Sequence, residues 1–197
     1  MSYYFRSSDR WFSDQLCCRY LVVRFSKLRV PMKHGRLITM ADWHWALGLF
    51  IDGGFEVLGA WRDEGVARPD QIAANLHERG LERIKALGGD EGVVAAMGRF
   101  RPTASRQTMV ELAESGAFGL RMRQAIRWTD TASRQLHTRM QRVAGGQQTL
   151  PDDAAAADFI AQAFQRADRD LLNDRWRRVR PAPYGASASA TALTAMP

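Results

Sequence analysis

Asp90 is the residue of this chain best placed to do chemistry. It lies in the run GGDEG at residues 88–92, directly after the segment LERIKAL at 81–87, which is predicted to form a buried strand. A carboxylate at a strand end suits a hard divalent ion such as Mg²⁺. It also suits a helix N-cap, because it accepts amide protons that the first helical turn leaves without partners. The local sequence leaves both roles open.

The four histidines are weaker candidates for a functional site than Asp90. His34, His77 and His137 have no Cys, His or Asp at the spacing of metal ligands, so no zinc site is predicted. His44 lies between Trp43 and Trp45 and is expected on the half-exposed face of a strand. The sequence shows no glycine-rich phosphate loop and no Ser-His-Asp pattern.

Length and composition predict a globular protein. The chain has 197 residues, of which 46% are hydrophobic and 25% charged, enough for one domain with a sizeable core. No apolar run reaches the roughly 18 residues that span a bilayer, and the N-terminus lacks the apolar stretch of a secretory signal. The two cysteines, Cys17 and Cys18, are adjacent, which predicts free thiols. We therefore predict a cytoplasmic protein without a membrane partner.

The positive charge is unevenly distributed. The net charge is +7, the first forty residues and the part beyond Arg99 are basic, and lysine occurs only at 27, 33 and 85. Arginine binds phosphate through a planar fork, so a polyanionic partner such as nucleic acid is one interpretation. A GC-rich genome, which enriches arginine and alanine regardless of function, is the other.

The first half of the chain shows strand periodicity. Residues 17–30 are predicted to form a strand that Pro31 and then His34-Gly35 break, and residues 37–51 a second strand. Asp52-Gly53-Gly54 predicts a hairpin turn, with a returning strand at 55–61. A short helix with Pro69 in its first turn and Gly80 past its end precedes the strand at 81–87.

The second half is predicted to be helical. Short helices are expected at 93–97 and 105–115, the latter capped by Ser105, and longer ones at 131–143 and after Pro151. Residues 1–16 are predicted to be a loosely ordered lead-in and 17–176 the folded core. The tail 177–197, rich in Pro, Ala and Ser, is predicted to be disordered.

Four places in the sequence carry a family resemblance. In chain order they are KLR at 27–29; ALG at 46–48 with DG at 52–53 and EVLGAW at 56–61; RG at 79–80 followed by DEG at 90–92; and AIR at 125–127 with TD at 129–130 and LPDDAA at 150–155. Their order and spacing resemble those of mutator-type transposases of bacterial insertion sequences, over most of residues 17–176.

The resemblance implies an RNase H-like α/β core of three antiparallel strands, a helix and a further strand, followed by helices. It implies an Asp-Asp-Glu site that holds Mg²⁺ for DNA cleavage and strand transfer at the ends of an insertion sequence. Asp90 would be the second aspartate and a metal ligand. The residues that we assign to double-stranded DNA are Lys27, Arg29, Arg127, Arg134, Arg139 and Arg142, although a solvated helix face also explains the last three.

The sequence departs from the family at the other two ligand positions. The first aspartate should stand four residues before Lys27, where the chain has Val23, and the glutamate should fall near Ser133. No acid occurs between residues 131 and 151. One aspartate cannot assemble a two-metal site.

We therefore expect a transposase-family chain with impaired catalysis. The alternatives are a non-catalytic protein that binds DNA, pairs with itself or associates with a full-length transposase, and a relic without function.

Overall fold

The computed structural model describes residues 13–17, 19–34, 36–64, 68–100, 104–106, 108–146 and 149–172. Their strands are β1 (Arg19–His34), β2 (Leu37–Leu49), β3 (Phe55–Arg62), β4 (Arg83–Gly89) and β5 (Ser105–Arg106). Their helices are α1 (Arg68–Glu78), α2 (Glu91–Phe100), α3 (Met109–Glu114), α4 (Leu120–Gly145) and α5 (Asp153–Leu172). The predicted tail, 177–197, and most of the predicted lead-in lie outside the described residues.

The strands form one mixed sheet in the order β3-β2-β1-β4-β5. β2 is antiparallel to both β1 and β3, whereas β4 is parallel to β1 and the two-residue β5 is parallel to β4. The predicted α/β class is therefore confirmed, as is the order of three antiparallel strands, a helix and a further strand.

Helices cover both faces of the sheet. Val23 packs in a cluster with residues of α1 and α2, whereas its neighbour Val22 packs with residues of α3 and α4. Ala46 and Leu47 also point to opposite faces of the sheet. Ala46 packs with residues of α1 and α2, and Leu47 packs with residues of α4 and α5. This division follows from the strand itself, in which successive side chains point to opposite faces. The central strands are apolar on both sides for this reason.

Strand β1 is longer than predicted, because Pro31 does not break it. The pairing with β2 continues from Pro31↔Met40 to His34↔Leu37. The carbonyl of Pro31 accepts a hydrogen bond from the Leu150 amide at 3.1 Å, so the backbone of Pro31 faces away from β2. A proline is tolerated there, since the ladder with β2 needs no amide proton from it.

Two helix boundaries also differ from the prediction. Helix α4 begins at Leu120 rather than at 131, and buried Met122, Ile126 and Thr129 extend its apolar stripe toward the N-terminus. Helix α3 is capped by Thr108, which forms a capping box with Glu111, so the predicted cap at Ser105 is wrong. Ser105 instead pairs with β4.

A polar network ties the segment before β1 to α1. The amide of Leu16 donates to the carbonyl of Arg79 at 2.8 Å, and Arg79 donates through Nη1 to the carbonyl of Leu58 at 2.6 Å. Tyr20 donates its hydroxyl proton to Glu56 in the same region. Burial raises the pKa of Glu56, because the carboxylate loses contact with water. These bonds hold residues 14–16 against the sheet.

Gly89 sets the position of Asp90 relative to β1. Its φ is +105°, and a Cβ at this position would lie 1.9 Å from the carbonyl oxygen of Phe25. The amide of Asp90 donates to that same oxygen at 3.2 Å. Glycine is required here both for the backbone conformation and for the close approach of the two strands.

Gly89→Ala is therefore expected to lower the free energy of unfolding by about 1–3 kcal/mol. Gly145→Ala is the control, since nothing lies within 4 Å of that position at the end of α4. Urea unfolding of the two variants measures the difference. Equal stability of both variants would show that the approach of Gly89 to Phe25 imposes no constraint.

Candidate functional site

Asp90 lies at the carboxyl end of β4 and caps helix α2. Its Oδ1 accepts a hydrogen bond from the Val93 amide at 3.1 Å, and its carbonyl accepts one from the Val94 amide at 2.9 Å. The predicted N-cap role is therefore confirmed. The second carboxylate oxygen, Oδ2, points away from the helix and toward the sheet.

Four side chains from four strands or strand ends form a charge cluster: Lys27, His44, Asp63 and Asp90. The Lys27 Nζ atom lies 2.9 Å from Asp63 Oδ2 and 3.7 Å from Asp90 Oδ2. The hydrogen bond to Asp63, and then the charge of Asp90, raise the pKa of Lys27 above its ordinary value. Lys27 thus places a positive charge between two carboxylates.

His44 lies within this cluster and is not on a half-exposed face as predicted. Only 2% of its side chain is exposed, because β2 is paired on both edges and covered on both faces. Its Nε2 lies 3.4 Å from Asp63 Oδ2 and its Nδ1 lies 3.7 Å from Asp90 Oδ2. Neither nitrogen has a hydrogen-bond partner within the described part of the chain.

The charge cluster does not fit the Mg²⁺ site that the resemblance implies. A two-metal site needs carboxylates that converge on the ions, with at least one shared between them. Here the two carboxylates converge on the ammonium of Lys27, which would repel a divalent cation. Across the described residues, no group of three or more His, Cys, Asp or Glu side chains is arranged to hold a metal ion.

The two positions at which the sequence departs from the family's metal ligands, Val23 and Ser133, do not meet in the fold. Ser133 is fully buried on α4, and its hydroxyl lies 3.4 Å from that of Ser26. Val23 packs on the opposite face of the sheet, among residues of α1 and α2. Ser26, rather than Val23, is therefore the β1 residue that faces Ser133. Lys27, next in sequence, points to the other face with Asp90.

Asp130 links strand β1 to helix α4 through two guanidinium groups. Its Oδ1 lies 3.2 Å from Arg24 Nη2, and its Oδ2 lies 2.8 Å from Arg134 Nη2. Arg24 also donates through Nη1 to the carbonyl of Asp130 at 3.2 Å. Burial lowers the pKa of Arg24, but the guanidinium stays charged because its ordinary value is so high.

Helix α4 carries a concentrated positive charge. Its sequence contains six arginines and Asp130 as its one acid. Arg127, Arg134 and Arg142 are seven and eight residues apart, so they share one face over about 22 Å of helix. The arginine surface, as we call it, comprises four exposed residues, Arg127, Arg134, Arg139 and Arg142.

The structure divides the predicted DNA-binding residues. The four on α4 lie on one helix, and Arg134, Arg139 and Arg142 line one shallow depression. Lys27 belongs to the charge cluster. Arg29 is separated from α4, since its Nε lies 3.0 Å from Asp42 Oδ1 on β2.

A cleft of about 580 Å³ opens between β1 and α4. The described residues that line it are Arg24, Phe25, Ser26, Lys27, Gly89, Arg134, His137 and Thr138. Three of these are cationic and none is acidic. The ring of His137 is nearly parallel to that of Trp45, with centroids 6.4 Å apart. Burial, and then the charge of Arg24, lower the pKa of His137.

Sequence reasoning missed Asp63, Arg24 and Ser26. Asp63 directly follows β3, as Asp90 follows β4, and this strand-end position was a signal that could have been used. The carboxyl ends of parallel strands meet at one edge of a sheet, and β3 runs in the same direction as β4. Arg24 and Ser26 carry no sequence signal, since their roles depend on contacts with α4.

No family model and no curated protein matches this chain. The transposase resemblance therefore stays a hypothesis that depends on the residues quoted above. Within the described ranges, every helix is too short or too polar to cross a membrane.

The lowered pKa of His137 predicts a pH dependence of stability. A depressed histidine pKa stabilises the fold above about pH 6.5, and this contribution is lost as the pH falls through the lowered value. We expect the free energy of unfolding to fall less between pH 7 and pH 5 in His137→Asn than in the unmodified chain. Urea unfolding across this range provides the comparison. Parallel pH profiles would contradict the assignment, whatever the absolute stabilities.

Proposed function

We propose that this chain is a DNA-binding protein of the mutator-type transposase family whose metal-dependent catalysis has been lost. The observation that carries the proposal is the arginine surface of α4, beside a sheet whose strand-end carboxylates are held by Lys27. The family resemblance implies that the partner is insertion-sequence DNA. The pairing of Asp63 and Asp90 with Lys27 is the reason for the missing activity.

The topology supports an RNase H-like core. That fold was expected from the resemblance as three antiparallel strands, a helix, and a further strand that ends at an aspartate. β4 returns parallel to β1 and ends at Gly89, directly before Asp90. Of the helices after β4, α2 packs with α1 on one face of the sheet, and α3, α4 and α5 cover the other.

The arginine surface suits the backbone of duplex DNA. Phosphates follow one another about every 3.4 Å of helix axis on each strand, so about 22 Å of α4 faces roughly six of them. Guanidinium groups bind phosphate oxygens in a bidentate manner and keep their charge at any physiological pH. The one acid of α4, Asp130, is already shared between Arg24 and Arg134.

The charge cluster supports the loss of catalysis. Phosphoryl transfer by this family would need two divalent ions held by carboxylates. The Lys27 ammonium occupies the space between the two strand-end carboxylates, and Ser133 stands where the glutamate is expected. The binding function proposed here uses neither ion.

DNA binding should depend on salt and on the arginine surface. We expect the affinity for a fluorescein-labelled 20-base-pair duplex to fall linearly in log K against log salt. Arg127→Gln with Arg142→Gln should reduce the steepness of this line by about 2, because two phosphate contacts are lost. Fluorescence anisotropy between about 50 and 200 mM salt measures both.

The matched control is Arg83→Gln with Arg99→Gln, which removes the same charge from exposed positions on β4 and α2. Equal losses in both double variants would mean that net charge, not α4, governs binding. Absence of DNA binding at about 50 mM salt would contradict the proposed function.

Cleavage should be absent. We expect no nicking of supercoiled plasmid by the chain in Mg²⁺ or Mn²⁺ above the level in buffer alone, because the two strand-end carboxylates are occupied by Lys27. Asp90→Asn is the control for contamination. Nicking that requires the metal and disappears in Asp90→Asn would show that a working metal site survives.

A further inference from the structure

The hairpin of β1 and β2 extends beyond the other strands of the sheet. Strand β4 pairs with β1 only as far as Phe25, and β3 pairs with β2 only from Trp43 onward. Residues 26–34 of β1 and 37–42 of β2 therefore pair mainly with each other and form a two-stranded extension, which we call the arm.

One edge of the arm is covered and the other is open. On the β1 side, Leu150 exchanges backbone hydrogen bonds with Pro31 and Lys33, at 3.1 and 2.7 Å. On the β2 side, the last backbone contact is made by the Asp63 amide, which donates to the carbonyl of Asp42 at 2.8 Å. Beyond this contact, the edge of β2 is open toward the tip of the hairpin.

The alternation of the ladder directs the backbone groups of Ile38 and Met40 to the open edge. Met40 is opposite Pro31, whose carbonyl faces away from β2. This is therefore a non-hydrogen-bonded pair, in which both residues turn their backbone groups outward. Ile38 is two residues away and has the same orientation. The described part of the chain offers the two N–H and two C=O groups of Ile38 and Met40 no hydrogen-bond partner.

The side chains along this edge are apolar and exposed. Leu37, Ile38 and Met40 are 70%, 66% and 53% exposed. An exposed apolar edge strand is a template for pairing with another chain, and lysine, proline or a bulge at the edge prevents such pairing. Residues 37–41 contain no charged residue and no proline, and they pair with β1 without a register shift. The edge is therefore not protected against pairing.

We propose that the open edge of β2 pairs with the same edge of a second copy of this chain, antiparallel about a two-fold axis at Ile38. The two copies would then share one continuous sheet. A second copy suits this edge because an antiparallel pair of identical segments is self-complementary and closes as a dimer. The inference concerns self-association, and it does not depend on the proposed binding of DNA.

The contact between Asp63 and Asp42 determines the register. Residues whose backbone groups face the edge must lie opposite one another to exchange hydrogen bonds. With Ile38 opposite its own copy, Arg36 lies opposite Met40, and the ladder ends before Asp42. A two-fold axis at residue 39 or 40 would instead place the partner's chain opposite Asp42, where Asp63 already lies.

The same register brings opposite charges together. Arg36 of each copy lies diagonally across from Asp42 of the other, and diagonal neighbours are within reach of a long side chain. Asp42 uses Oδ1 for Arg29 at 3.0 Å, which leaves Oδ2 for a second guanidinium. The ladder of residues 36–40 is small beside the roughly 1,200 Å² of a stable complex, so we expect a dimer that depends on concentration in the micromolar range.

Charge exchange at Ile38 tests both the partner and the register. Ile38→Lys and Ile38→Glu each place like charges opposite one another at the two-fold axis, which destabilises a cross-strand pair. We expect each variant to dimerise at least about tenfold more weakly than the unmodified chain. An equimolar mixture of the two should regain the dimer, because lysine then faces glutamate. Sedimentation velocity without DNA, from about 1 to 500 μM chain, measures the dissociation constants.

Leu120→Lys and Leu120→Glu are the matched controls. Leu120 is 64% exposed and lies at the N-terminal end of α4, whereas Val30 and Met32 of the arm pack with residues 132–140 of that helix. These substitutions should leave the dissociation constant within about twofold of that of the unmodified chain. The amide NMR spectrum of each variant reports whether it is folded.

Three results would overturn the inference. The first is an unmodified chain that stays monomeric at about 500 μM. The second is an equal effect of the Ile38 and Leu120 substitutions on dimerisation. The third is a mixture of the two Ile38 variants that stays monomeric, because Ile38 would then not face its own copy.

The outcome is separate from that of the proposed function. A monomeric chain that binds duplex DNA would refute the dimer and leave the proposed function standing. A dimer that is disrupted at Ile38 and restored by mixing would support the inference, even if it bound no DNA.

Discussion

The alternation of side chains along β1 is the constraint on which the site depends. β1 is the central strand, paired with β2 on one edge and β4 on the other, so its side chains can point only to the two faces of the sheet. Arg24 and Ser26 point toward α4, and Phe25 and Lys27 toward α1 and α2. Strand β1 therefore contacts two separate polar groups, one on each face of the sheet. Asp90 belongs to one group and Ser133 to the other.

Strand β1 and helix α4 also differ in their balance of charged side chains. Lys27 is paired with Asp63 and Asp90, and Arg29 is paired with Asp42. Helix α4 carries six arginines against one aspartate. A genome rich in GC would spread arginine over the whole surface. Six of the chain's 25 arginines lie on this one helix of 26 residues, and the other nineteen are spread over the rest of the sequence.

The sequence predicted the features that depend on short stretches of chain. The cap at Asp90, the turn at Gly53 and the order of the first four strands follow from spacing and turn chemistry. The burial of His44 was not predictable in this way, because it depends on the strands and helices that surround β2. The continuation of β1 through Pro31 depends on Leu150, which is more than a hundred residues away. Asp63 joins Asp90 only because β3 and β4 run in the same direction.

A lysine between two strand-end carboxylates allows the sheet to bring Asp63 and Asp90 close together. Strand-end carboxylates that face each other repel unless a cation lies between them. A bound divalent ion supplies that charge in an enzyme, but it dissociates and leaves the repulsion behind. Lys27 supplies the charge covalently, so Asp63 and Asp90 are stabilised at all times below the raised pKa of the ammonium. The ion pairs of Lys27 therefore help to hold the carboxyl ends of β3 and β4 beside β1.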